Sequence, residues 1–583
     1  MNLENKHCVN CKQDFVIEPD DFAFYEKISV PPPTFCPECR FQRRLLFRNE
    51  RNYYRRKCDL CGENIIACYS ADVPFPVYCV KCWWGDGWDP SSYGRDVDFS
   101  KPFLEQVKEL FQTVPVLAIQ NDNGIGSVSA EWSYDWAFSK NVYLCVCGWY
   151  TENTLYGYYL CYDRDVMDSY FVNNSELMYE CVNCDKGYNC NYCTLCFGSS
   201  NCFLGYDLRG CSNCTMCVGL RNKQYCILNQ QYSKEEYEKK LKELDLGKRS
   251  NFEKHRKEFQ KLILEVPRKY AYNLKTVNST GDLMIEAKNV KNCFYVIGPT
   301  ENCRYFVSND RARDCYDCNN SGNPELCYES VTPDNSRGSK FTVFCWKCTE
   351  AEYSNNCHSC TSVLGSTGLK HASYAILNKK YSKEEYLSLR EKIIEKMKET
   401  GEWGEFFPYK LSPFAYDETA AMEWLPLTRE EALAKGYSWK GVDKKDYQVT
   451  KRIDELPESI NEVDDSILNE IIECAHKGEC NERCTTAFRI VDAELKLYRR
   501  FNVPLPTLCP NCRHYARLKI RNPAKLWHRK CSCAGEKSDN GAYLNTVGHF
   551  HKESHCPNEF ETSYAPDRPE VVYCEECYNA EVV

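Results

Sequence analysis

Pro33-Thr34-Phe35-Cys36-Pro37-Glu38-Cys39-Arg40, near the start of the chain, returns near its end as Pro506-Thr507-Leu508-Cys509-Pro510-Asn511-Cys512-Arg513. The match runs without a gap from Cys11 to Cys58 and from Cys484 to Cys531, at a constant offset of 473, with 19 identities in 48 positions. Self-similarity over such a length marks a duplicated structural unit. It resumes further on, where Tyr69-Ser70-Ala71-Asp72-Val73-Pro74 and Val77-Tyr78-Cys79 match Tyr564-Ala565-Pro566-Asp567-Arg568-Pro569 and Val572-Tyr573-Cys574. One module opens the chain and a diverged copy closes it.

Each copy supplies four cysteine pairs. In the first they are Cys8/Cys11, Cys36/Cys39, Cys58/Cys61 and Cys79/Cys82; in the second, Cys480/Cys484, Cys509/Cys512, Cys531/Cys533 and Cys574/Cys577. A Cys-x-x-Cys pair lets two thiolates grip one ion, and eight thiolates suit two closed, tetrahedral zinc sites. The expected cofactor is Zn2+, about four ions per chain. Cys68 falls opposite Ser563 and is read as a non-ligand. The second copy departs in two spacings: Cys480-x3-Cys484 is one residue longer and Cys531-x-Cys533 one shorter. It also carries 23 extra residues before its last pair, with His549, His551, His555 and Cys556. One of its sites then takes a histidine or Cys556, or is lost. Spacing allows either sequential or interleaved pairing of the doublets.

The composition narrows the class. Among 583 residues there are 41 cysteines and 41 tyrosines, with 43% hydrophobic and 27% charged residues. An odd cysteine count without an export signal points to reduced thiols and a cytoplasmic location. No apolar run approaches the roughly 18 residues of a membrane span, so no membrane partner is expected. With a net charge of -9, any nucleic-acid surface has to be local.

Such a surface is suggested beside each Cys-Pro-x-Cys knuckle. Residues 40–57 and 513–530 each sum to +7. A short helix is expected in both, capped by Asn49 or Asn522. Arg40, Arg43, Arg44, Arg48 and Arg51 in the first copy, with Arg513, Arg517, Lys519 and Arg521 in the second, are the expected phosphate contacts. Interleaved aromatics (Phe41, Phe47, Tyr53, Tyr54, Tyr515 and Trp527) suit base stacking and favour RNA or a single strand. The competing reading is a helix face whose arginines pair with the protein's own carboxylates.

Between the modules the texture changes. Residues 131–220 hold 12 cysteines and carry four basic against ten acidic side chains. Cysteines recur every 12 residues at Cys190, Cys202, Cys214 and Cys226, and again at Cys303, Cys315 and Cys327 and at Cys345 and Cys357. Asn-Cys steps accompany them, and asparagine tolerates a left-handed corner, so a β-solenoid with inward-stacked thiols is expected. The rival reading is additional metal at Cys181, Cys184, Cys193 and Cys196 and at Cys345, Cys348, Cys357 and Cys360. The middle is itself written twice: Tyr225-Cys226-Ile227-Leu228-Asn229 and the capping box Ser233/Glu236 return 149 residues later as Tyr374-Ala375-Ile376-Leu377-Asn378 and Ser382/Glu385.

The expected fold class is therefore mixed and mainly β. Two terminal four-cysteine zinc-ribbon or treble-clef-like modules flank a duplicated, cysteine-rich, β-solenoid-like middle with capping helices. The segments are a zinc module (1–90), a linker with a short helix (91–130), a first repeat block (131–232), a helical connector (233–275) and a second block (276–381). A helix (382–400), a bridge (401–473) and the second zinc module (474–583) follow.

The knuckle, the Trp83-Trp84-Gly85-Asp86-Gly87-Trp88-Asp89-Pro90 segment, the Asn-Cys repeats and the Val572-Tyr573-Cys574-Glu575-Glu576-Cys577-Tyr578 ending together resemble a group of uncharacterised cysteine-rich zinc-ribbon proteins of genome-reduced, ultra-small bacteria. That group often carries a CaiB/BaiF label, which would imply a class III CoA-transferase with a catalytic aspartate. No residue of this chain carries that match. The leading expectation is a zinc-binding, non-catalytic nucleic-acid-binding protein. The alternative is a zinc-stabilised scaffold that binds a protein partner through the solenoid face, and the third reading is a zinc-dependent or thiol-redox enzyme. No phosphate loop, dinucleotide fingerprint or nucleophile elbow occurs, and no catalytic residue is assigned.

Overall fold

The computed structural model describes residues 3–121, 126–305, 307–309, 313–317, 319, 322, 324–332, 334–442 and 447–583. It is mainly β, with cysteine clusters at both ends and in the middle. In the first block, strands of four residues pair in parallel with the strand 12 residues on: Glu152 with Arg164, Arg164 with Glu176, Tyr158 with Tyr170 and Tyr170 with Val182. Successive strands alternate between a nine-stranded and a five-stranded sheet, so consecutive segments lie on different faces of one stack.

The corner rule is tighter than the 12-residue register alone implies. Asp135, Phe138, Asn141, Leu144, Cys147, Tyr150, Asn153, Tyr156, Tyr159 and Tyr162 all have φ between 49° and 59°. A left-handed residue thus falls at every third position. Asparagines take many corners (Asn174, Asn183, Asn189, Asn201 and Asn213), but so do Tyr, Leu, Phe and Cys. A left-handed conformation costs a non-glycine residue roughly 1–2 kcal/mol. Repetition offsets that cost, because each rung hydrogen-bonds its neighbours and identical positions stack. The second block is less regular at its start, where pairings link residues 11 and 13 apart (Leu274 with Ile285, Phe294 with Val307), before returning to 12 (Thr349 with Thr361, Thr361 with Ser373).

The interior of the stack is filled by thiols. Cys181, Cys184, Cys190, Cys193, Cys196, Cys202, Cys211, Cys214, Cys217 and Cys226 are all buried and form one cluster with Leu160, Val166, Val172 and Met178. The side chains of Cys315 and Cys327 lie outside the described residues.

Each block ends the same way. Asn378 donates to Thr367 O at 2.8 Å and accepts from Thr367 N at 2.8 Å. Asn229 makes the same two bonds to Val218, both 2.8 Å. The amide thus stands where another rung's backbone would pair. The chain then enters a capped helix: Ser233 accepts from Glu236 N, and Ser382 from Glu385 N, at 3.2 Å in each case. The first connector, expected as one helix over 233–264, is two helices, Lys234–Leu244 and Arg249–Glu265, separated at Asp245, whose φ is 43°. Among the described residues, no helix is long and apolar enough to cross a membrane.

Candidate metal centres

Four clusters of cysteines share one local plan: a β-hairpin turn followed by the first turn of a helix. Strands Glu4–His7 and Asp14–Ile17 hold Cys8 and Cys11 between them, and Cys36 caps the helix Pro37–Leu45, which carries Cys39. Strands Tyr54–Lys57 and Asn64–Ala67 hold Cys58 and Cys61, and Cys79 caps Val80–Trp84, which carries Cys82. The doublets therefore pair sequentially. The C-terminal copy repeats the plan with Cys509 capping Pro510–Leu518 and Cys574 capping Glu575–Val582.

In every cluster the amide of the helix-capping cysteine donates to the sulfur of the first cysteine: Cys36 to Cys8 at 3.3 Å, Cys79 to Cys58 at 3.3 Å, Cys509 to Cys474 at 3.2 Å and Cys574 to Cys531 at 3.2 Å. The ligand atoms of each four-cysteine group lie within 4.8 Å of one another. Bonds of about 2.3 Å at tetrahedral angles separate sulfurs by about 3.8 Å. Cys11 and Cys36 are 3.7 Å apart, Cys474 and Cys512 3.9 Å, and Cys556 and Cys574 3.9 Å. These groups could hold metal ions and are compatible with zinc.

The C-terminal ligand sets correct the sequence-based ones. The first is Cys474, Cys484, Cys509 and Cys512, not the set with Cys480. Cys474 directly follows the strand Ile472–Glu473 as Cys8 follows Glu4–His7, so it is the positional counterpart of Cys8. Six residues inserted before Cys484 hid this from a gapless alignment. Cys480 stays close, its sulfur 3.8 Å from that of Cys512. The second set is Cys531, Cys556, Cys574 and Cys577. Cys556, from the insertion, takes the vertex expected of Cys533, because a spacing two residues apart is too short for the hairpin-turn grip. Cys68 is buried in the core, consistent with its reading as a non-ligand.

The middle thiols have backbone partners. Cys181 donates to Cys190 O at 3.2 Å and Cys184 to Cys193 O at 3.5 Å. Cys193 donates to Cys202 O at 3.6 Å and Cys196 to Thr194 O at 3.5 Å. In the second block Cys345 donates to Ser354 O at 3.4 Å, Cys348 to Cys357 O at 3.2 Å, Cys357 to Asn355 O at 3.6 Å and Cys360 to Leu369 O at 3.4 Å. A donating thiol keeps the proton that a metal ligand must lose. This is the geometry of packed core.

The basic helices also require correction. Expected to face solvent, Arg40, Arg43, Arg44, Arg48, Arg513, Arg517 and Arg521 are all buried. Arg40 meets Asp317 at 2.5 Å, with Arg44 3.6 Å from the same carboxylate, and Arg43 meets Glu329 at 2.5 Å and Glu405 at 3.0 Å. Arg513 reaches Asp168 and Glu494, both at 3.0 Å, and Arg517 reaches Asp168 at 3.0 Å and Glu180 at 2.9 Å. Arg48 pairs with Glu50, and Arg521 donates to Tyr170 Oη at 2.5 Å and stacks on Trp424. Arg51 is half-buried, lining a small polar cleft with Glu50, Glu423 and Arg483. Lys519 remains largely exposed, paired with Glu482. The helices themselves end at Leu45 and Leu518, before the expected Asn49 and Asn522 caps.

The two sockets are related by both repeats. Arg40 and Arg513 are equivalent by the offset of 473, and Asp317 and Asp168, like Glu329 and Glu180, by the offset of 149. Tyr305 and Tyr156, a further pair, lie under Arg40 and Arg513 at 5.4 and 5.1 Å. The first module therefore docks on the second block, and the last module on the first block, through one repeated clasp. Burial pushes the Glu329 carboxyl up against the pull of Arg43, and pushes the Glu180 carboxyl up to about 7 against the pull of Arg517.

In comparison with known proteins, no family model matches this chain, and neither does any curated protein or solved structure.

Proposed function

We propose that the protein is a zinc-stabilised, non-catalytic interaction scaffold. In this reading two treble-clef-like zinc modules clamp a duplicated β-solenoid, and the solenoid face binds a protein partner. The observation that carries it is the burial of the module arginines: side chains that would grip phosphates are used to fix the modules to the stack. A nucleic-acid reading would have to rest on exposed cations such as Arg55, Lys57 and Lys519.

What the first block leaves open supports the scaffold. Phe138, Tyr150 and Tyr162 occupy the same corner on successive rungs, 44%, 50% and 61% exposed. Their rings stack at 5.0 Å between centroids and within 7° of parallel. Beside them runs a polar ladder, Asn141 to Asn153 to Asp165, with 2.9 Å steps. A rigid aromatic stripe with polar flanks offers contact area at low entropic cost, as protein-binding surfaces do.

Two measurements test the reading. Metal-loaded protein titrated with single-stranded RNA, single-stranded DNA and duplex DNA at low salt is expected to show no binding; affinity falling steeply with salt would overturn the scaffold reading and favour phosphate contacts. A photo-crosslinking residue at Tyr150 is expected to capture a defined protein that Tyr150→Ser with Tyr162→Ser no longer retains. Equal retention by that double variant would remove the stripe as the working surface.

A further inference from the structure

The insertion in the last module does more than replace one ligand. His549 and His551 lie with Cys533 and Cys577 in a second cluster whose ligand atoms are within 4.8 Å of one another, and Cys577 also belongs to the Cys531, Cys556 and Cys574 cluster. We propose that this insertion builds a fifth metal site, fused to the fourth through Cys577. The result is a binuclear centre in which one thiolate bridges a four-sulfur ion and a two-sulfur, two-nitrogen ion.

Both histidines are oriented for ligation. His549 turns Nε2 to Glu581 Oε1 at 2.9 Å, and both side chains are almost fully buried. Its Nδ1 is buried with no hydrogen-bond partner among the described residues. A carboxylate on one ring nitrogen is the usual support for a histidine that binds metal through the other, because it fixes the tautomer and raises ligand basicity. Glu581 is itself held by the amide and hydroxyl of Thr546 and by Tyr543 Oη. His551 uses its other nitrogen: Nδ1 donates to Ser554 O at 2.6 Å, leaving the Nε2 lone pair 3.3 Å from Cys577 Sγ. Ligands of a tetrahedral zinc at about 2.0 Å for nitrogen and 2.3 Å for sulfur stand about 3.5 Å apart.

The sulfurs are prepared as well. Cys533 accepts from Asn545 Nδ2 at 3.2 Å, and Asn545 Oδ1 accepts from Tyr573 Oη at 2.8 Å. Cys577 lies 3.6 Å from Cys556 on the four-sulfur side. The insertion is packed tightly enough to hold this arrangement. Gly535, at φ +81°, lets the backbone of Glu553 pass 2.7 Å from where a Cβ would sit, and Cys556 N donates to Cys533 O at 2.8 Å. Charge favours the second ion. Five thiolates around two divalent ions leave one net negative charge, where an isolated four-thiolate zinc leaves two.

The test uses the full chain loaded with cadmium-113. Two resonances from the last module are expected to split one another through the shared sulfur, one in the four-sulfur range and one in the mixed sulfur–nitrogen range. His549→Ala with His551→Ala should lose one ion per chain by native mass spectrometry and abolish that splitting, and the remaining four-cysteine signals should persist. An unchanged ion count in the double variant, or two unsplit resonances in the parent protein, would overturn the proposal. If the double variant does not fold, the parent spectrum alone decides. His551→Cys provides a second readout: the ion is expected to remain and its resonance to move toward the sulfur-rich range.

Discussion

In the first module the second hairpin closes over residues 58–63, a turn of six residues between the strands Tyr54–Lys57 and Asn64–Ala67. In the last module the equivalent hairpin, Trp527–Lys530 with Glu559–Thr562, carries residues 531–558 in the same place. The short turn offers two thiolates to one ion. The long one gives up a Cys-x-x-Cys doublet, recruits Cys556 and brings two histidines with Cys533. Everything around the turn is preserved: the capping cysteine, its amide bond to the first sulfur and the arginine clasp beneath. The scaffold is thus set by the hairpin-plus-helix frame and its docking, and the metal-binding turn is where sequence can grow.

The comparison can be broken most strongly by removing metal. Structural zinc contributes on the order of 10–16 kcal/mol of apparent binding free energy per site in small domains. Chelation is therefore expected to unfold both terminal modules, so that protease attack begins within residues 3–90 and 474–583 while the stack over 134–231 resists longest. Uniform cleavage along the chain would show that the modules and the stack are one cooperative unit.

The clasps give the next largest effect. Asp168 and Asp317 are fully buried, each serving two arginines. Removing one partner of a buried ion pair typically costs about 3–5 kcal/mol. Asp168→Ala and Asp317→Ala should destabilise by similar amounts in denaturant unfolding. A large cost at one and none at the other would mean that the repeats preserve geometry without preserving energetics.

The end asparagines sharpen the comparison between blocks. Asn378 is fully buried and also donates to Pro90 O at 3.0 Å, whereas Asn229 is half-buried. Buried groups left unsatisfied cost about 1–3 kcal/mol. Asn378→Ala is expected to cost more than Asn229→Ala, measured by thermal unfolding. The reverse order would point to the connector helices as the true end-stops.

Much of this frame is legible in the sequence. The offset of 473 finds both modules, sequential Cys-x-x-Cys doublets find the first two ligand sets, and the capping boxes find where each block ends. Two things escaped for physical reasons. Cys474 is displaced from its partner by an inserted loop, and only the strand before it marks its place. The orientation of the arginines depends on carboxylates hundreds of residues away. The clue was still present, since Asp168 and Glu180 recur as Asp317 and Glu329 at the block offset, just as Arg513 and Arg517 repeat Arg40 and Arg44 at the module offset. Composition alone, +7 over 18 residues, does not distinguish a phosphate-binding helix from one that neutralises an acidic partner within the same chain.

A left-handed residue at every third position makes the stack a molecular ruler with a fixed gradation. Inserting or deleting a whole 12-residue coil would slide matching corners onto one another and change only the length. Any other indel would turn inward-facing thiols toward water and aromatic corners toward the core. Length variation in this region is therefore quantised, and a chain lengthened by one coil would move the two metal-bearing modules apart by one strand spacing, about 4.8 Å.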